Sequence, residues 1–152
     1  MKIRRMKESD LDTVVILESR IFPDPWSYNS FRHEVHNNPF AIPLVLEESG
    51  EIIGYAIIWK IFEEFHIANF AIRPEFQGKK RGTYFFEEIL KYADESSYAL
   101  LEVRESNLRA ISLYEKYGFK TILKRERYYA NGETALVMQK MFVKKPVPGK
   151  AD

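Results

Sequence analysis

One loop in the middle of the chain has the residue types that hold a bound anion. The segment FAIRPEFQGKKRGTYFF, residues 70–86, passes from an apolar stretch through a glutamine, two glycines and three consecutive cations into an aromatic-rich stretch. The first N–H groups of a helix lack intrahelical partners, and with the helix dipole they favour a phosphate. Glycines let backbone come close, and successive N–H groups form a concave nest. The pattern indicates a pyrophosphate cradle built from Gly78, Lys79, Lys80, Arg81 and Gly82.

Other interpretations of the same loop remain open from the residues alone. A solvated basic turn explains the three cations equally well. A nucleic-acid patch would need further basic residues around the loop, and we expect no nucleic-acid partner. No metal is predicted, because the loop holds no carboxylate.

The histidine pair His33 and His36 lies elsewhere in the chain. These residues are three apart rather than the four of a zinc-protease helix, so they are interpreted as an exposed helix face.

A second group of residues with chemical potential lies in LLEVRESNLRAISLYEKYGF. Side chains alternate along a strand, so in the strand predicted over 98–104, Glu102 and Arg104 share a face. A carboxylate in a strand that should be buried needs a charged partner or a catalytic task. Asn107 and Tyr114 are two helical turns apart and lie on nearly one face of the following helix. By themselves they also suit a helix cap and a core aromatic.

The elements that must position these residues alternate between strands and helices in the order β-α-α-β-β-β-α-β-α-β-β. Such an order predicts a mixed sheet with helices on both sides, in the α/β or α+β class. The predicted segments are a strand over 2–6, helices to about Arg20 and from Ser27 to His36, strands over 42–47, 52–62 and 64–73, a helix over 83–95, a strand over 98–104, a helix from Asn107 to Gly118, and a hairpin of 119–129 with 133–143 about Asn131-Gly132.

Composition bounds the class of protein. The chain of 152 residues suits one domain over 1–143, with residues 144–152 as a frayed tail. The absence of cysteine excludes disulfides and a cysteine nucleophile. The charged start MKIRRMKESD lacks a signal-peptide core, and no apolar run approaches the roughly 20 residues of a membrane span. With a net charge of +1, we expect a cytoplasmic protein without a membrane partner.

The loop and the element order resemble the GNAT superfamily of acyl-CoA-dependent N-acyltransferases. Gln77-Gly78-Lys79-Lys80-Arg81-Gly82 is similar to the family's Q/R-x-x-G-x-G/A loop, and the order of elements matches from residue 2 to about 143. The resemblance implies a mixed, mostly antiparallel sheet of about seven strands flanked by about four helices. It implies acetyl-CoA as co-substrate, with its pyrophosphate held after the fourth strand. The loop residues it assigns to coenzyme A are Gln77, Gly78, Lys79, Lys80, Arg81, Gly82 and Thr83.

Lys80 departs from the family pattern, which usually has glycine at that place. A side chain there either forces the loop outward or reaches the phosphates itself. Because backbone donors carry most of the binding, we expect coenzyme A binding to survive.

Further stretches resemble the ribosomal-protein-alanine N-acetyltransferases, the RimI-like branch of the family. LEVRESNLRAISLYEKYGF is similar to that branch, NFAIRPEFQ resembles its NIAVDPDFQ, and FPDPWS resembles its FPWS with two residues inserted. By position, the resemblance implies that Glu102 is the general base, Tyr114 the general acid and Asn107 a coenzyme contact. The main chain that it assigns to the acetyl and pantetheine groups belongs to Phe70, Ala71 and Ile72.

The resemblance implies acetyl transfer to the N-terminal α-amine of a protein, with a ribosomal protein among the acceptors, by a monomer or weak dimer. A neutral amine must attack, and an α-amine with pKa about 8 is deprotonated more readily than lysine at about 10.4. Without cysteine, direct transfer in a ternary complex is predicted. The alternatives are acetylation of a small amine or a lysine, and a non-catalytic acyl-CoA-binding module.

Rival residues compete for the role of base. Glu64 and His66 lie on the strand that leads into the site, and other branches of the family use acids from that region. Tyr128 and Tyr129 resemble family tyrosines near the peptide channel and are otherwise interpreted as strand aromatics in the core.

Overall fold

The computed structural model describes residues 1–143, so the predicted tail over 144–152 lies outside the described residues. The order of strands and helices is the one that the sequence predicts. The elements are β1 (Lys2–Arg5), α1 (Leu11–Ile21), α2 (Tyr28–His36), β2 (Ala41–Glu48), β3 (Glu51–Ile61), β4 (Glu64–Ile72), α3 (Arg81–Leu90), β5 (Tyr98–Arg104), α4 (Leu108–Lys116), β6 (Lys120–Arg125) and β7 (Ala135–Met141), with short 3-10 turns at Glu8–Asp10, Pro74–Phe76 and Lys91–Ala93.

The strands form one sheet of seven in the order β1-β2-β3-β4-β5-β7-β6. Every neighbouring pair is antiparallel except β4 with β5, which is parallel. The predicted mixed, mostly antiparallel sheet with four flanking α-helices is therefore confirmed over the part of the chain described. In that part, no helix has both the length and the apolar character needed to cross a membrane.

Apolar cores cover both faces of the sheet because residues along the central strands alternate in direction. On β3, Tyr55 and Ile57 pack with side chains of α1 and α2, including Leu11, Val14 and Phe31. Ala56 and Ile58 on the same strand pack with side chains of α3 and α4, including Phe85, Phe86 and Tyr114. We call these the α1–α2 face and the α3–α4 face. Side chains from both faces can therefore contact a ligand that lies between two strands of the sheet.

The ends of two helices follow the predicted capping chemistry. The Ser27 hydroxyl accepts a hydrogen bond of 3.1 Å from the Ser30 N–H at the start of α2. The Asn107 side chain accepts one of 3.3 Å from the Ala110 N–H at the start of α4. Each side chain satisfies one of the free donors at a helix N-terminus, which fixes where the preceding loop enters.

The last hairpin differs from its prediction. The ladder of β6 and β7 ends at Arg125 and Ala135, so residues 126–134 form a long loop in place of a tight Asn-Gly turn. The Asn131 side chain accepts from the Glu133 N–H at 3.0 Å, and the N–H groups of Tyr128 and Tyr129 both donate to the Glu133 carbonyl. These local bonds compete with the ladder. The prediction that residues 119–129 are all strand is wrong at its end.

Candidate active site

Strands β4 and β5 separate halfway along their length. Their parallel pairing covers Glu64 to Ile67 on β4 and Tyr98 to Leu101 on β5, and goes no further. On its other edge β4 has a bulge, since Ile67 and Asn69 face successive residues of β3 and leave Ala68 unpaired. A bulge bends a strand and increases its twist. The second half of β4 therefore turns away from β5 and opens a gap through the sheet.

A cavity of about 950 Å³ occupies this gap. One end of its wall comes from the segment between α1 and α2 and from the β6–β7 loop, and the other from the loop before α3 and the start of α4. Since α1–α2 and α3–α4 cover opposite faces of the sheet, the cavity connects the two faces. Its size is within the range of small-molecule sites.

The exposed main chain of β4 forms one side of the cavity. Phe70, Ala71 and Ile72 all line it and lie beyond the last residue paired with β5. A Cβ at Gly54 would lie 2.9 Å from the Ala71 carbonyl oxygen, so only glycine on β3 allows this close approach. The predicted splay of the strand is thus present: residues 70–72 remain paired with β3 on one edge, and on the other edge they have no ladder partner on β5.

The loop before α3 has the backbone conformation of an anion nest. Gly78 has φ +85° and Lys80 has φ +62°, both left-handed. Lys80 is the residue that immediately precedes α3. The Gln77 side chain holds the loop, because its amide donates to the Ile72 carbonyl at 2.9 Å. The family's usual glycine at the place of Lys80 is explained by this left-handed conformation, which disfavours other residues by about 1–2 kcal/mol.

Only part of the predicted cradle lines the cavity. The loop residues in its wall are Gln77, Gly78, Lys80, Gly82 and Thr83, together with Asn107 at the start of α4. Lys79 is exposed and lies outside the wall. Arg81 turns away, because its guanidinium donates to the Glu48 carboxylate at 3.1 and 2.9 Å. Among the three predicted cations, the structure brings Lys80 to the cavity.

A cation that sequence reasoning missed lies beside the loop. Arg109, in the first turn of α4, lines the cavity and donates to the Gln77 side chain at 3.3 Å. The sequence did contain a signal for Arg109. It is a cation two residues after the helix cap Asn107, and the first turn of a helix is where an anion binds. With Lys80 it places two positive charges at the end of the cavity on the α3–α4 face.

Glu102 lies on β5 one residue beyond Leu101, the last residue of β5 that pairs with β4. Its side chain is 28% exposed, and its nearest cation is Arg125, with Nε to Oε1 at 3.9 Å. Its negative charge is the main cause of the raised pKa of Tyr128 and adds to burial in raising the pKa of Tyr129 to about 12. The carboxylate is thus half-buried in the cavity wall, and its ion pair with Arg125 is a long one.

Tyr114 is both a core aromatic and a cavity residue, so the two interpretations of the sequence are compatible. It is buried on α4, with its ring 5.2 Å from Phe86 and 6.4 Å from Phe70. Burial raises the pKa of its hydroxyl well above the ordinary value, so it stays protonated. Both residues line the same cavity: Tyr114 from helix α4, which covers one face of the sheet, and Glu102 from strand β5 of the sheet itself.

The rival bases lie close to Glu102. His66 Nδ1 is 3.7 Å from Glu64 Oε2, and the Trp59 ring packs edge-on against the imidazole at 5.0 Å. Burial lowers the pKa of His66, while the charges of Glu64 and Glu102 oppose that shift. A second cavity of about 120 Å³ is lined by His66, Glu64 and Glu102 and shares part of its wall with the first. The structure therefore brings all three candidates together.

The opposite end of the cavity has polar and aromatic residues that sequence reasoning did not assign. Glu18 of α1 accepts hydrogen bonds from the Trp26 N–H and the Asn69 side chain, both at 3.0 Å. Burial raises the pKa of its carboxyl group. In the sequence, Glu18 is one residue of a predicted amphipathic helix, and nothing in that pattern predicts these contacts. Phe22, Asp24 and Trp26 also line this end, together with Tyr128 and Tyr129, which sequence reasoning already compares with family tyrosines near the peptide channel.

No group of three or more potential metal ligands is found within residues 1–143. His33 and His36 are exposed on α2, as the sequence predicts. His36 lies 3.7 Å from the Glu8 carboxylate, on the outer surface.

Comparison with known proteins agrees with this geometry. The model of the acetyltransferase (GNAT) family matches residues 11–119. The chain is 39% identical over 139 residues to a Bacillus subtilis protein named Putative ribosomal protein bS18-alanine N-acetyltransferase, covering 90% of this chain and 92% of that protein.

Solved structures share the fold over nearly the whole chain. The ribosomal-protein-S18-alanine N-acetyltransferase of Escherichia coli has a TM-score of 0.87 and 26% identity, covering 99% of each chain. The NatC complex bound to Gag peptide and CoA contains a chain with a TM-score of 0.78 and 19% identity, covering 94% of this chain. Together, the family match and the Bacillus relative show that this chain belongs to the acetyltransferase (GNAT) family and resembles its ribosomal-protein-alanine N-acetyltransferases.

Proposed function

We propose that the protein transfers the acetyl group of acetyl-CoA to the N-terminal α-amine of a protein, with a ribosomal protein as the acceptor. The observation that carries the proposal is the cavity through the sheet, which has the loop before α3 at one face and Glu102 with Tyr114 in its wall. The Bacillus and Escherichia coli relatives are both named as ribosomal-protein-alanine N-acetyltransferases, which supports this acceptor. The place of action in this proposal is the cytoplasm, where ribosomal proteins are made.

Acetyl-CoA binds in this proposal from the α3–α4 face. The N–H groups at Gly78 and Gly82, with Gln77, Lys80 and Thr83, hold the pyrophosphate, and Asn107 contacts the coenzyme. Lys79 and Arg81 add positive charge near the loop without direct contact. The pantetheine arm pairs with the free main chain of residues 70–72, as a neighbouring strand would. The N–H group at Ile72 then stabilises the thioester oxygen as it becomes negative, because N–H groups alternate along β4 and that of Ala71 faces β3.

Glu102 takes the proton from the attacking amine. It lies beside the gap, half-exposed, so its carboxylate can act on the amine directly or through one water. An α-amine suits this base, because deprotonating a lysine at neutral pH costs roughly 3 kcal/mol more. His66 is the second candidate, since it lines both cavities and is held neutral by burial.

Tyr114 assists the leaving thiolate. The raised pKa of its hydroxyl makes it a weaker acid than a thiol, whose ordinary pKa is about 8.5. We therefore assign it a hydrogen bond to the sulfur as charge develops, followed by protonation from solvent or from the displaced amine proton. With no cysteine in the chain, the amine attacks the thioester directly in a ternary complex. The proposed reaction uses no metal, and one chain supplies every named residue.

An acetylation assay on a peptide panel tests the proposal. The panel holds peptides with a free α-amine, including the N-terminus of ribosomal protein S18, peptides with a blocked N-terminus and an internal lysine, and a polyamine. We expect turnover on the free α-amine peptides. Glu102→Gln and Tyr114→Phe should lower kcat at unchanged affinity for acetyl-CoA, and Asp94→Asn, an exposed change far from the cavity, should not.

Each outcome has a distinct meaning. Turnover on the polyamine or on lysine peptides alone would refute the α-amine acceptor and favour a small-amine or lysine acetyltransferase. Tight acetyl-CoA binding with no turnover on any amine would indicate a non-catalytic binding module.

A further inference from the structure

Two segments lie beside the end of the cavity opposite the phosphate-binding loop. The first is residues 22–27 between α1 and α2, and the second is residues 126–134 between β6 and β7. We call them the acceptor loops. Both contribute residues to the cavity wall, namely Phe22, Asp24, Trp26, Tyr128 and Tyr129. In the proposed function the acceptor amine passes between them, because the pyrophosphate of acetyl-CoA takes the other end of the cavity.

A single carboxylate joins the two acceptor loops. Asp24 Oδ2 accepts a hydrogen bond of 2.9 Å from the Ala130 N–H, across a sequence separation of 106 residues. The same oxygen lies 3.4 Å from Nη2 of Arg104. Asp24 is in the FPDPWS segment, which is two residues longer than the FPWS that it resembles. We call these contacts of Asp24 the loop bridge.

Arg104 anchors the bridge to the strand that carries Glu102. Its side chain is only 10% exposed and lies two residues after Glu102 on β5. The guanidinium stacks on the Tyr129 ring at 3.8 Å and donates to the Asn131 side chain at 3.2 Å. These contacts hold the β6–β7 loop against the base's own strand. A change in the bridge therefore alters the shape of the acceptor end without touching Glu102.

Neutralising Arg104 does not require Asp24. Glu133, within the β6–β7 loop itself, has Oε1 3.9 Å from Nη1 of Arg104 and already supplies a negative charge. Asp24 comes from the other loop and remains 36% exposed in the cavity wall. Its particular contribution is the connection between the two acceptor loops.

We propose that Asp24 determines acceptor specificity by tying the two acceptor loops together, so that only the end of an extended chain can enter. This inference rests on the proposed function. An internal lysine on a folded protein carries chain on both sides, and a closed entrance excludes that chain. A terminal α-amine has chain on one side only and can be threaded between the loops. Asp24 is a specificity-determining residue in this scheme and takes no part in the proton transfers.

The test compares Asp24→Ala and Asp24→Asn with wild type, using Asp94→Asn as the matched control. Asp94 is likewise an exposed aspartate in an ion pair, here with Lys60 at 3.3 Å, and lies outside the cavity wall. The first measurement is amide hydrogen exchange over residues 126–134. The second is the ratio of kcat/KM for a free α-amine peptide to that for the same peptide with a blocked N-terminus and an internal lysine.

We expect Asp24→Ala to speed exchange at the Ala130 amide and to lower the acceptor ratio about tenfold, as loss of one charge-assisted hydrogen bond predicts. The ratio should fall because KM for the α-amine peptide rises while its kcat stays nearly constant. The value of kcat/KM for the lysine peptide should rise at the same time. Asp24→Asn, which keeps an oxygen for Ala130 but loses the charge, should fall between. The control should match wild type in both measurements.

Other results would overturn the inference. An unchanged ratio, with or without faster exchange, would show that the bridge does not select the acceptor. A fall in kcat at unchanged KM would assign Asp24 to the chemical step instead. Failure of the proposed function is recognised separately, because wild type itself would then acetylate no α-amine peptide, while the exchange measurement would still report whether Asp24 joins the loops.

Discussion

The hydroxyl of Tyr55 on β3 donates a hydrogen bond of 2.8 Å to Glu18 Oε1 on α1, and both side chains are buried. The Glu18 carboxylate also accepts from the Trp26 N–H and from Asn69, which lies beside the bulge of β4. One buried carboxylate thus connects a helix, a strand, an acceptor loop and the bulge that opens the active-site gap. We call this hydrogen-bonded carboxylate the polar hub; it lies in the wall of the cavity itself.

Tyr55→Phe should lower the free energy of unfolding by about 1–3 kcal/mol, because it removes one donor from a buried carboxylate without creating a cavity. Urea denaturation followed by circular dichroism measures the change. Tyr92→Phe, at a tyrosine that is 37% exposed, is the matched control and should change the free energy of unfolding by less than about 0.5 kcal/mol. Equal effects of the two substitutions would contradict the role given to the hub.

Glu18→Gln should change how stability depends on pH. Burial raises the pKa of Glu18 in the folded protein above its unfolded value, so the folded state binds the proton more tightly. The stability of wild type relative to Glu18→Gln should therefore be highest at acid pH and fall as the pH rises from the ordinary glutamate value through the raised one. Denaturant midpoints of both proteins between pH 4 and pH 8 measure the difference, with exposed Glu51→Gln as control. A difference that rises with pH would reverse the assignment.

Glu102→Gln should lower kcat by about 10²- to 10⁴-fold, the usual contribution of a positioned general base. His66→Gln should lower kcat less than tenfold if the imidazole only lines the two cavities and takes no proton. Both variants are compared with wild type at saturating substrate concentrations. Glu105→Gln, at an exposed carboxylate three residues further along the chain, controls for charge alone. A larger loss in His66→Gln than in Glu102→Gln would make His66 the base.

Lys80→Gly should raise the Kd for acetyl-CoA by about three- to tenfold, through loss of one charge at the cavity end. The backbone cradle should persist, because glycine adopts the left-handed conformation of this position readily. The loss should shrink at high salt, which calorimetry at two ionic strengths would measure. Lys79→Gly is the matched control, since Lys79 is exposed and lies outside the cavity wall. If Lys79→Gly weakened acetyl-CoA binding as much as Lys80→Gly, the two lysines would contribute only through their general positive charge and not through a specific position.

Local sequence signals predict the parts of the fold that depend on local chemistry. Ser27 and Asn107 cap their helices as predicted, because a cap requires only a side chain and an N–H three residues away. The same holds for the loop at Gly78, whose conformation is set by its own backbone. The Asn131-Gly132 signal failed, since Asn131 bonds to Glu133 and Arg104 and the strands end earlier.

The features that shape the acceptor end depend on contacts between distant parts of the chain. The bulge at Ala68 is fixed by register with β3, and no residue type marks it in the sequence. Asp24 meets Ala130 only when two loops converge. Arg81 is a cation beside a phosphate-binding loop by sequence, yet it pairs with Glu48 of β2, because a partly buried carboxylate competes for it. Such choices between partners are made by the tertiary fold.

The split between β4 and β5 leaves the sheet as two leaves, β1–β4 and β5–β7, whose ladders meet only along Glu64–Ile67 and Tyr98–Leu101. The shared seam is only four residues long on each strand, and the outer halves of both strands have no rungs between them. An acetyl-CoA arm lying along residues 70–72 would supply those rungs. We therefore expect acetyl-CoA, and equally the CoA product that keeps the same arm, to stiffen the angle between the leaves for as long as either is bound.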